Sequence, residues 1–215
     1  MKKSVLRKLG CDVVIVGKVG NDNLRKFLIN KLKEEGVNTE GIKVTDKTNS
    51  SGTAVLVHSD GERVFIHSIG ANAESGIDDI DFEKMRKFHI LYVAGTFVLP
   101  KFDGKPTEET LKRAKEMGFI TNAGIKMGEK GSFILNEKEK HYFPALKIDV
   151  VDTTGAGDGY VAGFIAGLVR GYNFEKCGLI SNLVGAKMTT SVGVTSGLRS
   201  WRDLIELGEK YGVKI

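Results

Sequence analysis

Val151-Asp152-Thr153-Thr154-Gly155-Ala156-Gly157-Asp158-Gly159-Tyr160, followed by an apolar run from Val161 to Val169, decides how this chain is read. Ile148, Val150 and Val151 read as a strand end and Gly155-Ala156-Gly157 as a tight turn. Ala156 to Arg170 has helical composition stopped by Gly171. A helix N-terminus at Gly155 to Asp158 turns N–H groups and the positive end of the helix dipole toward an anion, and glycines let a phosphate approach the backbone. Asp158 would repel a phosphate placed directly on it. The useful arrangement sets the phosphate on the N–H groups and the carboxylate against an incoming hydroxyl, which is the geometry of phosphoryl transfer.

Two nucleotide-loop patterns are excluded. Gly155-Ala156-Gly157 fails the dinucleotide fingerprint because Tyr160 stands at its third glycine, and no G-x-x-x-x-G-K-[ST] loop occurs. A plainer account makes Asp158 an ordinary first-turn acid that complements the dipole. Gly159, Gly163 and Gly167, four residues apart, predict close helix packing.

The string Asp152 to Gly167 resembles the C-terminal signature of the ribokinase-like carbohydrate and nucleoside kinases, the phosphofructokinase B family. The resemblance implies that Asp158 is the general base toward a sugar hydroxyl. It implies an anion hole for the transferred phosphoryl group at the backbone of Gly155, Ala156 and Gly157, with Thr153 and Thr154 beside the nucleotide. Asp152 with the Thr154 carbonyl resembles a monovalent-cation site. Ile125-Lys126-Met127-Gly128-Glu129-Lys130-Gly131-Ser132 resembles the family's strand and turn at the nucleotide phosphates, with Lys126 and Gly128 as the matching residues. Asn182 and Gly193, within Ser181 to Gly197, resemble the adenine-side helix and loop.

The N-terminal half is similar to the same family. Gly17-Lys18-Val19-Gly20-Asn21-Asp22 follows a strand predicted over Asp12 to Val16 and precedes a helix over Asn23 to Glu35, in the manner of an early β-α unit. Residues 51–69 read as a hairpin on internal evidence: Thr53, Val55 and Val57 alternate with Ala54, Leu56 and His58, Ser59-Asp60-Gly61-Glu62 turns, and Arg63 to His67 returns. In the family such strands form a lid over the sugar and a dimer contact; a surface hairpin without function is the alternative.

Two departures from the family stand out. The chain begins at Met1-Lys2-Lys3-Ser4-Val5-Leu6-Arg7-Lys8-Leu9-Gly10, which resembles only the end of the helix after the family's first strand and its Gly-Gly...Asn segment. Further along, Thr107 to Met117 reads as a helix and Phe119-Ile120-Thr121 as the start of a parallel strand. Only Asn122-Ala123-Gly124 separates that strand from the next, where a parallel crossover needs about a dozen residues. Two or more β-α units of the family are therefore expected to be absent.

Composition narrows the remaining choices. At 215 residues, 41% hydrophobic and 27% charged, the chain can bury one sizeable core, and three prolines with no low-complexity tract argue against a linker between domains. Cys11 and Cys177 stand apart with no metal or redox spacing and read as reduced, buried thiols of a cytoplasmic protein. No stretch has the length of a membrane span or the pattern of a signal peptide. The net charge of +5 comes from lysines interleaved with acids along helices, such as Lys112-Arg113 and Lys115-Glu116, without any nucleic-acid-binding motif. His58, His67, His89 and His141 show no metal-ligand spacing.

The expected architecture is α/β: a ribokinase-like three-layer α/β/α sheet, truncated, in a single domain over 1–215 with a β-hairpin lid at 51–69. The expected activity is ATP-dependent phosphorylation of a sugar hydroxyl, fructokinase-like or 2-keto-3-deoxygluconate kinase-like, with Mg2+ and K+ as cofactors. A homodimer through the hairpin is expected, and no nucleic-acid or membrane partner. Two alternatives stay open: a nucleoside kinase, and a non-catalytic protein that keeps the nucleotide pocket for binding or assembly.

Overall fold

The computed structural model describes residues 2–58, 63–95, 98–119, 123–136, 138–191, 197–198 and 200–215. In chain order the elements are α1 (Lys2–Lys8), β1 (Val14–Gly20), α2 (Asn23–Glu34), β2 (Asn38–Thr45), β3 (Gly52–Val57), β4 (Arg63–Ser68), α3 (Phe82–Met85), α4 (Lys105–Glu116), β5 (Ala123–Lys126), β6 (Ser132–Leu135), β7 (Lys140–Phe143), α5 (Ala156–Val169), α6 (Phe174–Met188) and α7 (Trp201–Lys210). Contacts divide the chain into two compact units, one of Met1–Val13, Glu35–Val37 and Ile120–Ile215, the other of Val14–Glu34 and Asn38–Phe119.

The second unit is built on one β-α-β crossover. β1 and β2 pair in parallel, in register from Val16 opposite Gly41 to Gly20 opposite Thr45. The strand runs through Gly17 to Gly20, which the sequence reading treats as following it. Gly20 is required by close approach: a side chain there would run into the backbone of Thr48 to Ser50. Asp22 starts α2 by accepting from the Arg25 amide at 2.8 Å, and it also holds Ser50 through the Ser50 amide at 2.6 Å and hydroxyl at 2.8 Å. Short 3-10 turns at Gly70–Glu74 and Ile77–Asp79 lie against β1. Asp79 is nearly buried there, 3.0 Å from the Lys18 ammonium and 3.4 Å from that of Lys43. The predicted hairpin is present as antiparallel β3 and β4, with Gly52 opposite Ser68 and Val57 opposite Arg63; its turn, 59–62, lies outside the described residues. α4 buries Thr110 and Ala114, and Arg113 stacks over the Phe82 ring at 4.0 Å.

The first unit carries the larger core. α1, α5, α6 and α7 bury Val5, Leu9, Ala162, Ala166, Ile180, Leu183, Val184, Met188 and Leu204 together. α5 and α6 interlock through the glycine stripe. A methyl group on Gly163 would lie 2.9 Å from Val184 Cγ2 and 3.0 Å from the Ser181 Cα, and one on Gly167 would lie 3.0 Å from Cys177 Sγ. The spacing thus serves packing, as its four-residue period predicts. On the other side, β5, β6 and β7 form an antiparallel sheet whose Ile134 and Phe143 pack with Tyr160 and Phe174.

Among the described residues the strands form three small sheets, and only β1 and β2 are parallel. The predicted parallel strand at Phe119 to Thr121 is not formed at Phe119; residues 120–122 lie outside the described residues, and β5 pairs with β6 in the antiparallel sense. This is where the β-α rhythm runs out of crossover length. The strand end expected at Ile148 to Val151 is also absent: residues 144–150 are irregular, and the chain is held there by the Val151 and Asp152 amides donating to the Thr189 carbonyl at 2.8 and 3.2 Å.

Candidate active site

Every described candidate residue lies in the first unit. The approach to α5 is shaped by Asp152, whose Oδ1 accepts from the Thr154 amide at 2.9 Å and from the Thr154 hydroxyl at 2.6 Å. The chain then reverses at Gly155, which has φ +87 in the left-handed region that glycine adopts without strain. The Gly155 carbonyl accepts from the Gly159 amide at 2.8 Å, so helical bonding starts at this turn. Thr153 is exposed, and Thr154 through Asp158 are half-buried at the mouth of the helix. Asp158 sits in the first turn of α5. Both the tight glycine turn and the helix N-terminus predicted from the motif are therefore present; the Ala156 amide donates to the Thr153 carbonyl at 3.2 Å, and the amides of 155–158 lie at the helix start, where intrahelical acceptors are lacking.

Lys126 closes one side of this mouth. It ends β5, and its ammonium donates to the Gly157 carbonyl at 3.2 Å. Gly157 makes the room: a methyl group there would lie 3.0 Å from Lys126 Nζ. Past Lys126 the chain makes the predicted turn. Gly128 has φ +59 and opens a 3-10 turn over Gly128–Lys130, Met127 donates to the Gly131 carbonyl at 2.9 Å, and the Tyr142 hydroxyl donates to the Lys130 carbonyl at 2.7 Å. The strand-and-turn and the helix mouth, 31 residues apart in sequence, are thus joined by one lysine.

Asn182 occupies a different kind of place. The Ser132 hydroxyl donates to its Oδ1 at 2.9 Å, and its Nδ2 donates to the Pro144 carbonyl at 2.8 Å. Its amide ties α6 to the start of β6 and to the chain leaving β7; a second N–H and a second lone pair remain for any ligand. Gly193 lies outside the described residues. The sequence reading did not single out Ser132 or Tyr160, which stand behind these residues. A hydroxyl directly after the turn glycine and a phenol within a helix of small residues were the available signals.

The group implied by the motif is a nucleotide triphosphate with its divalent ion. The donor set fits the phosphates: helix-start amides, an ammonium, and glycines at the points of closest approach. Among the described residues no cluster of three or more His, Cys, Asp or Glu side chains could hold a metal by itself, so a divalent ion here would be held largely by the phosphates. The Asp152 carboxylate and the Thr154 carbonyl are hard oxygen donors of the kind that suit K+.

Comparison with known proteins gives the same direction. The model of the pfkB family carbohydrate kinases matches residues 4–124 and 101–201. The two matches share residues 101–124, so α4 and the start of β5 fit the family in two places. An uncharacterized sugar kinase of Archaeoglobus fulgidus is 27% identical over 246 aligned positions, covering 90% of this chain and 97% of its own. That span exceeds the 215 residues present here, so the relative carries stretches that this chain lacks. A nucleoside kinase of Methanocaldococcus jannaschii is 38% identical over 90 residues, 41% of this chain and 30% of its own. The crystal structure of a putative ribokinase II from E. coli in complex with ATP and Mg2+ superposes with a TM-score of 0.80 at 17% identity, covering 97% of this chain and 87% of that one, which establishes the ribokinase-like α/β fold. No helix among the described residues is long and apolar enough to cross a membrane. From the signature at α5 to the matches that span both units, the chain belongs to the pfkB family of carbohydrate kinases, ATP-dependent phosphotransferases that act on sugars or nucleosides.

Proposed function

We propose that this kinase transfers the γ-phosphoryl group of ATP to a primary hydroxyl of a small sugar, with Asp158 as the general base. The observation that carries the reading is the mouth of α5, where a carboxylate, a left-handed glycine turn and a lysine ammonium converge on one helix start. ATP supplies the phosphoryl group, and its divalent ion screens the phosphate charge. Asp158 takes the proton as the hydroxyl oxygen attacks, the amides of Gly155, Ala156 and Gly157 bind the transferring group, and Lys126 adds positive charge beside it. Thr153, Thr154 and Gly128 border the phosphates, Asn182 supports the adenine side, and Asp152 with Thr154 binds a monovalent cation, K+.

A keto-sugar such as fructose or 2-keto-3-deoxygluconate is the preferred acceptor, by resemblance to the family. The nucleoside kinase among the relatives keeps adenosine in the comparison. The hairpin is proposed as a lid and as a contact between two copies of the chain in the cytoplasm. It leaves Val55 and Phe65 exposed on one face and Leu56, Val64 and Ile66 on the other, apolar area of the kind that marks interaction surfaces. ADP release from magnesium-ATP with K+ present, measured against fructose, ribose, 2-keto-3-deoxygluconate and adenosine, tests the reading. Release that depends on one acceptor and is lost in Asp158→Asn, with ATP binding retained, supports it. No release by folded protein favours a binding or assembly role instead.

A further inference from the structure

The hairpin of β3 and β4 is exposed along its length, at residues 53–58 and 64–69, while the residues at its foot are not: Ser50 is 6% exposed and Ala71 is fully buried. A two-stranded ribbon with both faces in water is marginal by itself, so the direction in which it projects is set where it joins the fold. Both legs are tied at that junction. On the outgoing leg, Asp22 Oδ2 accepts from the Ser50 amide at 2.6 Å, Asp22 Oδ1 accepts from the Ser50 hydroxyl at 2.8 Å, and that hydroxyl accepts in turn from the Gly20 amide at 3.0 Å. On the returning leg, the Ala71 amide donates to the Asn49 carbonyl at 2.8 Å, and Gly70 has φ +45 at a point where a methyl group would run into the backbone of Asn49 and Ser50. The Ser51 hydroxyl joins the legs by donating to the Ser68 carbonyl at 3.2 Å. The Ser50 amide, ahead of the Arg25 amide, holds the Asp22 carboxyl below the ordinary carboxylate range, so at neutral pH it only accepts.

We infer that Asp22 is a positioning residue for the acceptor: through Ser50 it fixes the angle at which the hairpin leaves the corner between β1 and α2, and so how the hairpin closes over the acceptor. The inference rests on the reading of the hairpin as a lid. Asp22 acts through the hairpin and not on the reacting groups. A lid that is aimed retains the acceptor and excludes water. Loosened at its root, it does both poorly, and water then takes the γ-phosphoryl group of ATP in place of the acceptor, giving ADP and inorganic phosphate.

Asp22 also caps α2, accepting from the Arg25 amide at Oδ1, and Asp22→Asn separates the two roles. A side-chain carbonyl in place of Oδ1 keeps the bonds from the Arg25 amide and the Ser50 hydroxyl, and asparagine caps a helix as well as aspartate does. Its NH2 group then stands where Oδ2 accepted and meets the Ser50 amide donor to donor. The arm's motion is read without any ligand, from the anisotropy of a fluorescent maleimide on Val57→Cys in the full chain; Val57 is exposed, and Cys11 and Cys177 are both buried. Kinetics on the unlabelled chain give the KM of the acceptor, the KM of ATP and ADP release without acceptor. With Asp22→Asn, the probe anisotropy should fall, acceptor-free ADP release should rise, and the KM of the acceptor should rise about tenfold, the scale of one lost hydrogen bond to a charged group, while the KM of ATP stays unchanged. Unchanged anisotropy, or a loss that falls equally on ATP and acceptor, overturns the role of Asp22. Lower anisotropy with an unchanged acceptor KM leaves Asp22 anchoring the hairpin and overturns the lid reading instead.

Discussion

Lys126 Nζ donates to the carbonyl oxygen of Gly157 at 3.2 Å, so the last side chain of β5 lies along the first turn of α5. An ammonium at the positive end of a helix dipole is poorly placed by itself and well placed once an anion sits beside it. Lys126→Met should therefore lower kcat/KM for ATP by about a hundredfold, the scale of losing one charged donor at a transferring group. Lys126 is exposed, so the melting temperature should stay within a degree or two of the parent's. Steady-state kinetics beside a thermal melt check both halves.

The interlock of α5 and α6 gives a sharper stability test. Gly163 faces Val184, the Ile180 carbonyl and Ser181 with no room for a methyl group. Gly163→Ala should cost about 1–3 kcal/mol in urea unfolding, the scale of overpacking a filled core. Gly171 lies just past the helix end, has φ +74 and meets nothing nearby, so its replacement by Asn, which tolerates the left-handed region, should cost far less.

Asp79 makes stability depend on pH. Burial pushes its carboxyl up, but the Gly76 amide and the ammonium groups of Lys18 and Lys43 outweigh burial and hold the group below the ordinary carboxylate range. A carboxyl whose folded pKa is depressed contributes stability above its unfolded value, about 3.9, and loses that contribution as pH falls through the folded value. Asp79→Asn should thus destabilise by about 2 kcal/mol at pH 7, and the difference should narrow progressively below about pH 3.9 as the folded carboxyl takes up its proton. Denaturant titrations at the two pH values separate this from a packing defect, which would persist at both.

Cys177 is fully buried, and burial alone pushes its thiol up to about 11. Cys11 is also buried and raised by burial, against the opposing pull of Arg170. A thiol that holds its proton is a poor nucleophile. A disulfide reagent at pH 8 should label neither cysteine in the native protein and both in guanidinium chloride. Rapid labelling of the native chain would contradict the burial described for them.

Much of this was legible in sequence wherever the local pattern and the tertiary demand agree. The turn and helix from Gly155 to Gly171 were readable because glycine, small residues and a stop glycine mean the same thing locally and globally. The hairpin was readable because alternation and a polar turn specify it without distant partners. Ile148 to Val151 has strand composition but no neighbouring strand among the described residues, and propensity without a ladder partner does not make a strand. Gly17 to Gly20 reads as following the strand, but it is the end of that strand, and at Gly20 the backbone of 48–50 approaches too closely for any side chain. The bonds from Asn182 to Ser132 and Pro144, like the pairing of Lys18 with Asp79, join residues 38 to 61 positions apart, and nothing in the local pattern announces them.

The glycine stripe also bears on how the reaction is timed. With α5 seated against α6 at Gly159, Gly163 and Gly167, the helix that presents Asp158 can neither roll nor slide without collision. On the proposed mechanism, the base is then a stationary reference point. Any adjustment that brings donor and acceptor into line must come from the phosphate turn, the acceptor or the segments that enclose it, so turnover should respond to substitutions in those parts long before it responds to conservative changes along the buried face of α5.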